Sequence, residues 1–198
     1  MCPNGKKLEY ISGSSRYDVK THKMLDRFLQ TGKLNVTFAQ IGKYSKNICY
    51  MNETRPRVTA ECCKRFIEEN NCNAMKIDFK SDNKKEIYDV AIGMPIIATQ
   101  NIKNQGIYNT IEFKIEETVG DKLKVNGFWF ERKEFRKKFI PSFCVTVYKY
   151  QGCDIDEHHN IFDVNRMDKK QLYTALSRTT HLVFSDLLEM ENVFPSFS

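Results

Sequence analysis

No apolar run in this 198-residue chain approaches the ~20 residues that a membrane-spanning helix needs. The first residues, Met1 to Gly5, lack the apolar core of a secretory signal. Both absences lead us to expect an intracellular, soluble protein with no membrane partner. Cys-x-x-Cys pairs are missing among the seven cysteines (Cys2, Cys49, Cys62, Cys63, Cys72, Cys144, Cys153), and an odd number in a chain this long does not build a disulfide framework. Reduced thiols of a cytosolic or nuclear protein are expected. Nor does any stretch read GxxxxGK(S/T), the loop whose amides and lysine hold nucleotide phosphates. Gly5-Lys6, Gly32-Lys33 and Gly42-Lys43 each lack the earlier glycine and the following Ser or Thr. Internal repeats and low-complexity segments are also absent, which excludes a solenoid and a disordered tether.

What is present is ordinary for a globular protein: 41% hydrophobic and 28% charged residues. The length fits one domain, or one domain carrying a small insert. A formal charge of +6 permits a polyanionic partner without requiring one. From Tyr17 to Gln30, Val19, Met24, Leu25, Phe28 and Leu29 recur at helical spacing, and Thr31-Gly32 supplies a stop. Asn47 to Met51 reads as a strand, and Thr54 to Asn70, with Val58, Cys62, Phe66 and Ile67 on one face, as a helix. In that helix Cys62-Cys63 reads as one core thiol and one partly exposed thiol. Ala74 to Phe79 predicts another strand, followed by a charged loop from Ser81 to Glu86.

A strand at Gly93 to Thr99 precedes short alternating segments at Ile111 to Thr118, Lys122 to Asn126 and Phe128 to Phe130, with turns at Gly120-Asp121 and Asn126-Gly127. The α/β pattern then resumes: strand Phe143 to Val147, strand Ile161 to Val164, helix Lys169 to Ser177 and strand His181 to Ser185. Such alternation predicts an α/β fold, a mostly parallel sheet flanked by helices, interrupted by a small all-β unit.

Two stretches carry chemistry. Thr146-Val147-Tyr148-Lys149-Tyr150-Gln151-Gly152 leaves a strand, and ligands of open α/β sheets sit at the carboxyl ends of strands. Some twenty residues later Tyr173-Thr174-Ala175-Leu176-Ser177-Arg178 is an amphipathic helix ending in an arginine. Taken singly each has a plain alternative: a chance string, and a solvated cation at the negative end of a helix dipole. Taken together they resemble motifs V and VI of superfamily 1 helicases, especially the RecD-like and Pif-type branch, whose usual forms read TVHKSQG and YVALSR. Gly93-Met94-Pro95-Ile96-Ile97, Asn101 and Tyr108-Asn109-Thr110 resemble the lead into that branch's SH3-like insert, called 2B. Arg16 resembles the arginine of motif IV, and Ile48 to Asn52 with Arg55 and Val58 the strand and helix that follow it. The resemblance covers about Arg16 to Phe184.

It implies a RecA-like domain 2A over 1–101 and 140–198, with the SH3-like 2B insert over 102–139. ATP and Mg2+ would be held mainly by a separate domain 1A, a partner in the parent chain, so this chain alone is expected not to hydrolyse ATP. Arg178 would be an arginine finger and Arg16 a second γ-phosphate contact. Gln151 and Gly152 would sense the nucleotide, and Asp154 would contact its ribose. Thr146, Tyr148, Lys149, Tyr150 and Asn52 would face single-stranded DNA. Tyr148 and Tyr150 replace the family's His and Ser, and each either stacks on a base or packs in the core. An RNA helicase, or a stand-alone nucleic-acid-binding domain without catalysis, remains an alternative. Replication proteins are further partners that the resemblance suggests, and cytoplasm, nucleus or a viral replication site the locations.

Two other segments invite attention. Asp156-Glu157-His158-His159 looks like a DExH box but follows motif V, so an exposed acidic loop is expected and no metal site. Arg132 to Lys138, basic and flanked by Trp129, Phe130 and Phe139, is either a phosphate-binding run or a solvated face.

Overall fold

Asn47, Ile48 and Cys49 are all buried, the pattern of a strand covered on both faces rather than one. In the computed structural model, which describes residues 30, 46–81, 84–109, 111–149, 159–178 and 185–188, this strand, β1 (Lys46–Cys49), lies inside a four-stranded sheet. Its neighbours are β10 (Cys144–Thr146) and β11 (His159–Phe162), and β12 (Ser185–Leu188) pairs with β11 at the edge. Every pairing is parallel. The predicted parallel α/β sheet is therefore present.

Register in this sheet is fixed by a buried amide ladder. Asn47 lies opposite both Cys144 and Asn160. Its Nδ2 donates to the Phe143 carbonyl at 2.8 Å, while its Oδ1 accepts from Asn160 Nδ2 at 2.9 Å. A one-residue slip would strand these amides without partners. Asn47→Ala should therefore cost about 1–3 kcal/mol and lower Tm by several degrees, read by calorimetry.

Helix α1 (Thr54–Asn70) covers one face of the sheet, with Val58 in a cluster with Cys49, Cys144 and Phe162. Pro56 is tolerated in its first turn, where backbone N–H groups have no helical acceptor. Asn71, at φ +48°, ends it, its N–H closing on the Ile67 carbonyl. On another cluster, Ile48, Val147 and Ile161 pack with Ala175 and Leu176 of the later helix, Lys169–Leu176. Cys63 is buried and Cys62 partly so, as predicted, and the described cysteines are free thiols.

The segment predicted as a charged loop after β2 (Met75–Ser81) is instead the start of strand β3 (Lys84–Val90), antiparallel to β2. Alternation was concealed because the inward face of β3 carries a carboxylate and the outward face an isoleucine. Glu86, Tyr88 and Val90 point in, whereas Ile87 is 52% exposed. The Glu86 carboxylate receives the Arg55 guanidinium of α1 and, at 2.7 Å, the Tyr88 hydroxyl. Burial, and then the bond to Glu86, push the Tyr88 phenol well above its ordinary range, so it stays a donor.

Beyond β4 (Pro95–Ala98), the single strand expected over 111–118 divides. β5 (Glu112–Lys114) joins β4 and β9 (Phe139–Pro141), and β6 (Glu117–Val119) joins β7 (Lys122–Val125) and β8 (Phe128–Glu131). Ile115, buried between them, exchanges backbone bonds with Gly93 and Met94, which anchors the switch from one sheet to the other. The two predicted turns are present: Gly120, Asn126 and Gly127 all have positive φ. Helix α2 (Arg132–Lys138) closes this part. Its Phe135 packs against Phe79 and Phe139 in a buried cluster that runs from Cys63 to Phe143, across both limits of the expected insert.

The basic run of α2 is largely answered from within. Arg136 meets Asp78 at 2.6 Å, Arg132 meets Asp121 at 3.2 Å and the Lys76 carbonyl, and Lys138 pairs with Glu134, leaving Lys133 and Lys137 exposed. The helix Tyr17 to Gln30, apart from helical Gln30 itself, and most of the strand His181 to Ser185 lie outside the described residues.

Candidate functional site

The carboxyl ends of β10, β1 and β11 lie side by side, so the residues that follow them share one edge of the sheet. After β10 the chain turns, Lys149 N–H donating to the Thr146 carbonyl at 3.0 Å. This turn buries Val147 and leaves Thr146 and Lys149 partly exposed and Tyr148 55% exposed. Of the two readings for Tyr148, core packing is the one the structure removes. After β1, Tyr50 is partly exposed and Asn52 exposed.

Asp163, immediately after β11, organises this edge. It adopts φ +63°, a left-handed conformation that aspartate tolerates better than most residues. Its buried carboxylate accepts from the Tyr50 N–H (3.2 Å), the Met51 N–H (2.9 Å) and the Thr54 hydroxyl (2.8 Å). Three donors that precede or open α1 are thus satisfied by one side chain from another strand. Asp163→Ala should cost about 2–3 kcal/mol and release the 50–52 loop, seen as a lowered Tm together with faster amide exchange at Met51.

Helix α3 (Lys169–Leu176) begins at a capping box: the Asp168 carboxylate accepts from the Gln171 N–H, and the Gln171 carbonyl oxygen accepts from the Asp168 N–H, both at 2.8 Å. The remaining end of Gln171, its Nε2, donates to the hydroxyls of Tyr50 (2.9 Å) and Tyr148 (3.3 Å). Arg178 lies just past the opposite end of the helix, about 10 Å away at 1.5 Å per residue. Its Nε donates to the Thr174 carbonyl at 3.1 Å and its Nη2 to the Ser177 hydroxyl at 3.0 Å, so it caps its own helix at the negative end of the dipole.

Of the predicted site residues, then, Thr146, Tyr148, Lys149 and Asn52 gather at one sheet edge, and Arg178 stands at the far end of α3. Arg16, Tyr150, Gln151, Gly152 and Asp154 lie outside the described residues. His159, expected in an exposed acidic loop, is instead a fully buried first residue of β11; apolar Ile161 and Phe162 behind it draw the strand start forward. Sequence reasoning missed Asp163, Gln171 and Tyr50. Asp-x-x-Gln before an apolar run was a legible signal for Gln171. Thiol chemistry is not favoured here: burial pushes the Cys62 thiol up to about 11 and raises those of Cys63 and Cys144, holding them protonated at neutral pH.

No family model matches the sequence, and no curated protein is similar to it. Solved structures are. A structure of two coordinating Pif1 helicases in DNA unwinding at forked double-stranded DNA superposes with a TM-score of 0.63 at 15% identity, over 92% of this chain and 51% of that one. The Bacteroides Pif1 helicase in complex with ADP-AlF3 and single-stranded DNA gives 0.58 at 14%, over 92% and 53%. The Candida albicans Pif1 helicase gives 0.54 at 11%, over 88% and 55%. This chain thus shares the fold of these Pif1 helicase structures and spans about half the length of the chains it resembles.

Proposed function

We propose that this chain is the C-terminal motor half of an ATP-dependent superfamily 1 DNA helicase, supplying an arginine finger and a surface that grips single-stranded DNA. The observation that carries the reading is the layout of α3. One short helix has its first turn bonded to the Tyr50 and Tyr148 hydroxyls at the sheet edge and its end marked by Arg178. The likeness to Pif1 structures that contain single-stranded DNA and ADP-AlF3 supports it.

In this reading Thr146, Lys149 and Asn52 meet the phosphate backbone, with Tyr148 beside them. Arg178 leaves its helix end for the phosphoryl group of ATP, exchanging a weak dipole interaction for a charge-assisted one. Arg16, Gln151, Gly152 and Asp154 complete the nucleotide contacts. The reading assigns Mg2+ to the domain that carries the phosphate loop. The chain alone would then bind nucleic acid without hydrolysing ATP.

Titrating the chain with a labelled single-stranded oligodeoxynucleotide, followed by anisotropy, tests the gripping surface. Saturable binding that weakens with salt, and weakens further in Lys149→Ala, is expected. Absence of binding at low salt would sink the reading, and a clear preference for oligoribonucleotide would move it to RNA. A second reading, a nucleic-acid-binding domain without catalysis, is favoured by Arg178 being engaged at its own helix end. Turnover by the Arg178 variant separates the two.

A further inference from the structure

Tyr50 and Tyr148 stand on different strand ends, yet their ring centroids are 6.2 Å apart and their planes are inclined at 46°. They cannot sandwich a flat ligand between them, because that needs parallel rings about 7 Å apart, two stacking distances. They form a corner instead, with Tyr148 more than half exposed to solvent. Exposed tyrosines ordinarily sample several rotamers. Here each hydroxyl is held by the same amide group, Gln171 Nε2, and the other end of that amide is locked in the capping box of α3. Fixing two rings without burying them costs side-chain entropy, and the fixed faces are then ready for a planar partner.

We propose that Tyr50 and Tyr148 form a stacking step for one unpaired base of a single-stranded nucleic acid, and that Gln171 is the positioning residue that holds both rings. The inference rests on the nucleic-acid reading given above and deepens it, because that reading needs only phosphate contacts. The placement suits the task. Lys149 follows Tyr148 in the same turn and Asn52 follows Tyr50 in the adjacent loop, so polar groups that can reach a phosphate flank the rings on both strands. Every base has a π face, so the step grips any sequence. Since the rings hang from the first turn of α3, a base seated on them bears on the helix that ends at Arg178.

The test compares binding of the chain to an oligothymidylate and to an abasic strand of the same length, which has phosphates and no bases. The native chain should bind the base-bearing strand about tenfold more tightly, equivalent to ~1.4 kcal/mol. Tyr148→Ala should remove most of that preference and Tyr50→Ala part of it, each leaving abasic-strand affinity unchanged. Tyr148→Phe, which keeps the ring and loses only its hydroxyl's bond to Gln171, should fall between the native chain and Tyr148→Ala. Gln171→Met should reduce the preference about threefold with abasic affinity again unchanged, a split that a general loss of structure would not produce. Equal binding of both strands by the native chain would overturn the stacking step and leave the phosphate-gripping surface standing. Binding of neither would overturn both.

Discussion

Arg178→Ala is expected to lower ATP turnover about a thousandfold or more in a protein that joins this chain to a phosphate-binding domain, while single-strand affinity changes by less than about twofold. The magnitudes make this decisive. A thousandfold is ~4 kcal/mol of transition-state stabilisation, whereas the two bonds from Arg178 to its own helix end are worth about 1 kcal/mol. Unchanged single-strand affinity in the same preparation then separates a lost finger from lost folding. Arg178→Lys should fare little better, since a point charge does not reproduce the planar fork of guanidinium donors. Steady-state turnover and anisotropy on the same preparations check both halves. Unchanged turnover in Arg178→Ala would sink the finger and leave the non-catalytic reading.

The second large effect concerns stability. Glu86→Leu should leave the Arg55 guanidinium buried without its carboxylate and the Tyr88 hydroxyl without its acceptor. Removing one partner of a buried pair costs about 3–5 kcal/mol, which for a chain of this size is a fall in Tm of roughly 10 °C. Arg55→Met should cost a similar amount for the converse reason. Combining Arg55→Met, Glu86→Leu and Tyr88→Phe should recover most of the loss, because matched apolar groups can replace a buried ionic cluster at little cost. Calorimetry of the three variants decides; a triple variant no better than Glu86→Leu would show that the cluster does more than neutralise itself.

These two residues also show where the sequence was legible. Arg178 could be named as a candidate because its signature is contiguous: six residues at the end of one helix, twenty or so after a second contiguous string. The helix from Thr54 to Asn70 and the paired turns at Gly120 and Asn126-Gly127 were readable for the same reason, since periodicity and turn chemistry are local. Glu86 was not. Its partner is 31 positions away on a helix, and a charge on the inward face broke the alternation that would have announced β3. Asp163 and Tyr50 escaped likewise, for their roles arise only when strands distant in sequence become neighbours. The same logic explains His159, whose acidic neighbours suggested a solvated loop while its place was set by pairing with Lys46 of β1.

The amide ladder that fixes the register of the parallel sheet also sets an order of events. Asn47 and Asn160 are 113 positions apart, and Gln171 and Tyr50 are 121. The hairpins β2–β3 and β7–β8, by contrast, join neighbours in the chain. Such hairpins form in microseconds, whereas long loops must close before distant strands gain anything by pairing. The edge carrying Tyr50 and Tyr148 is therefore expected to assemble after the hairpins. A ribosome-bound chain that has not yet emerged past residue 171 should hold folded hairpins before Tyr50 and Tyr148 are brought together.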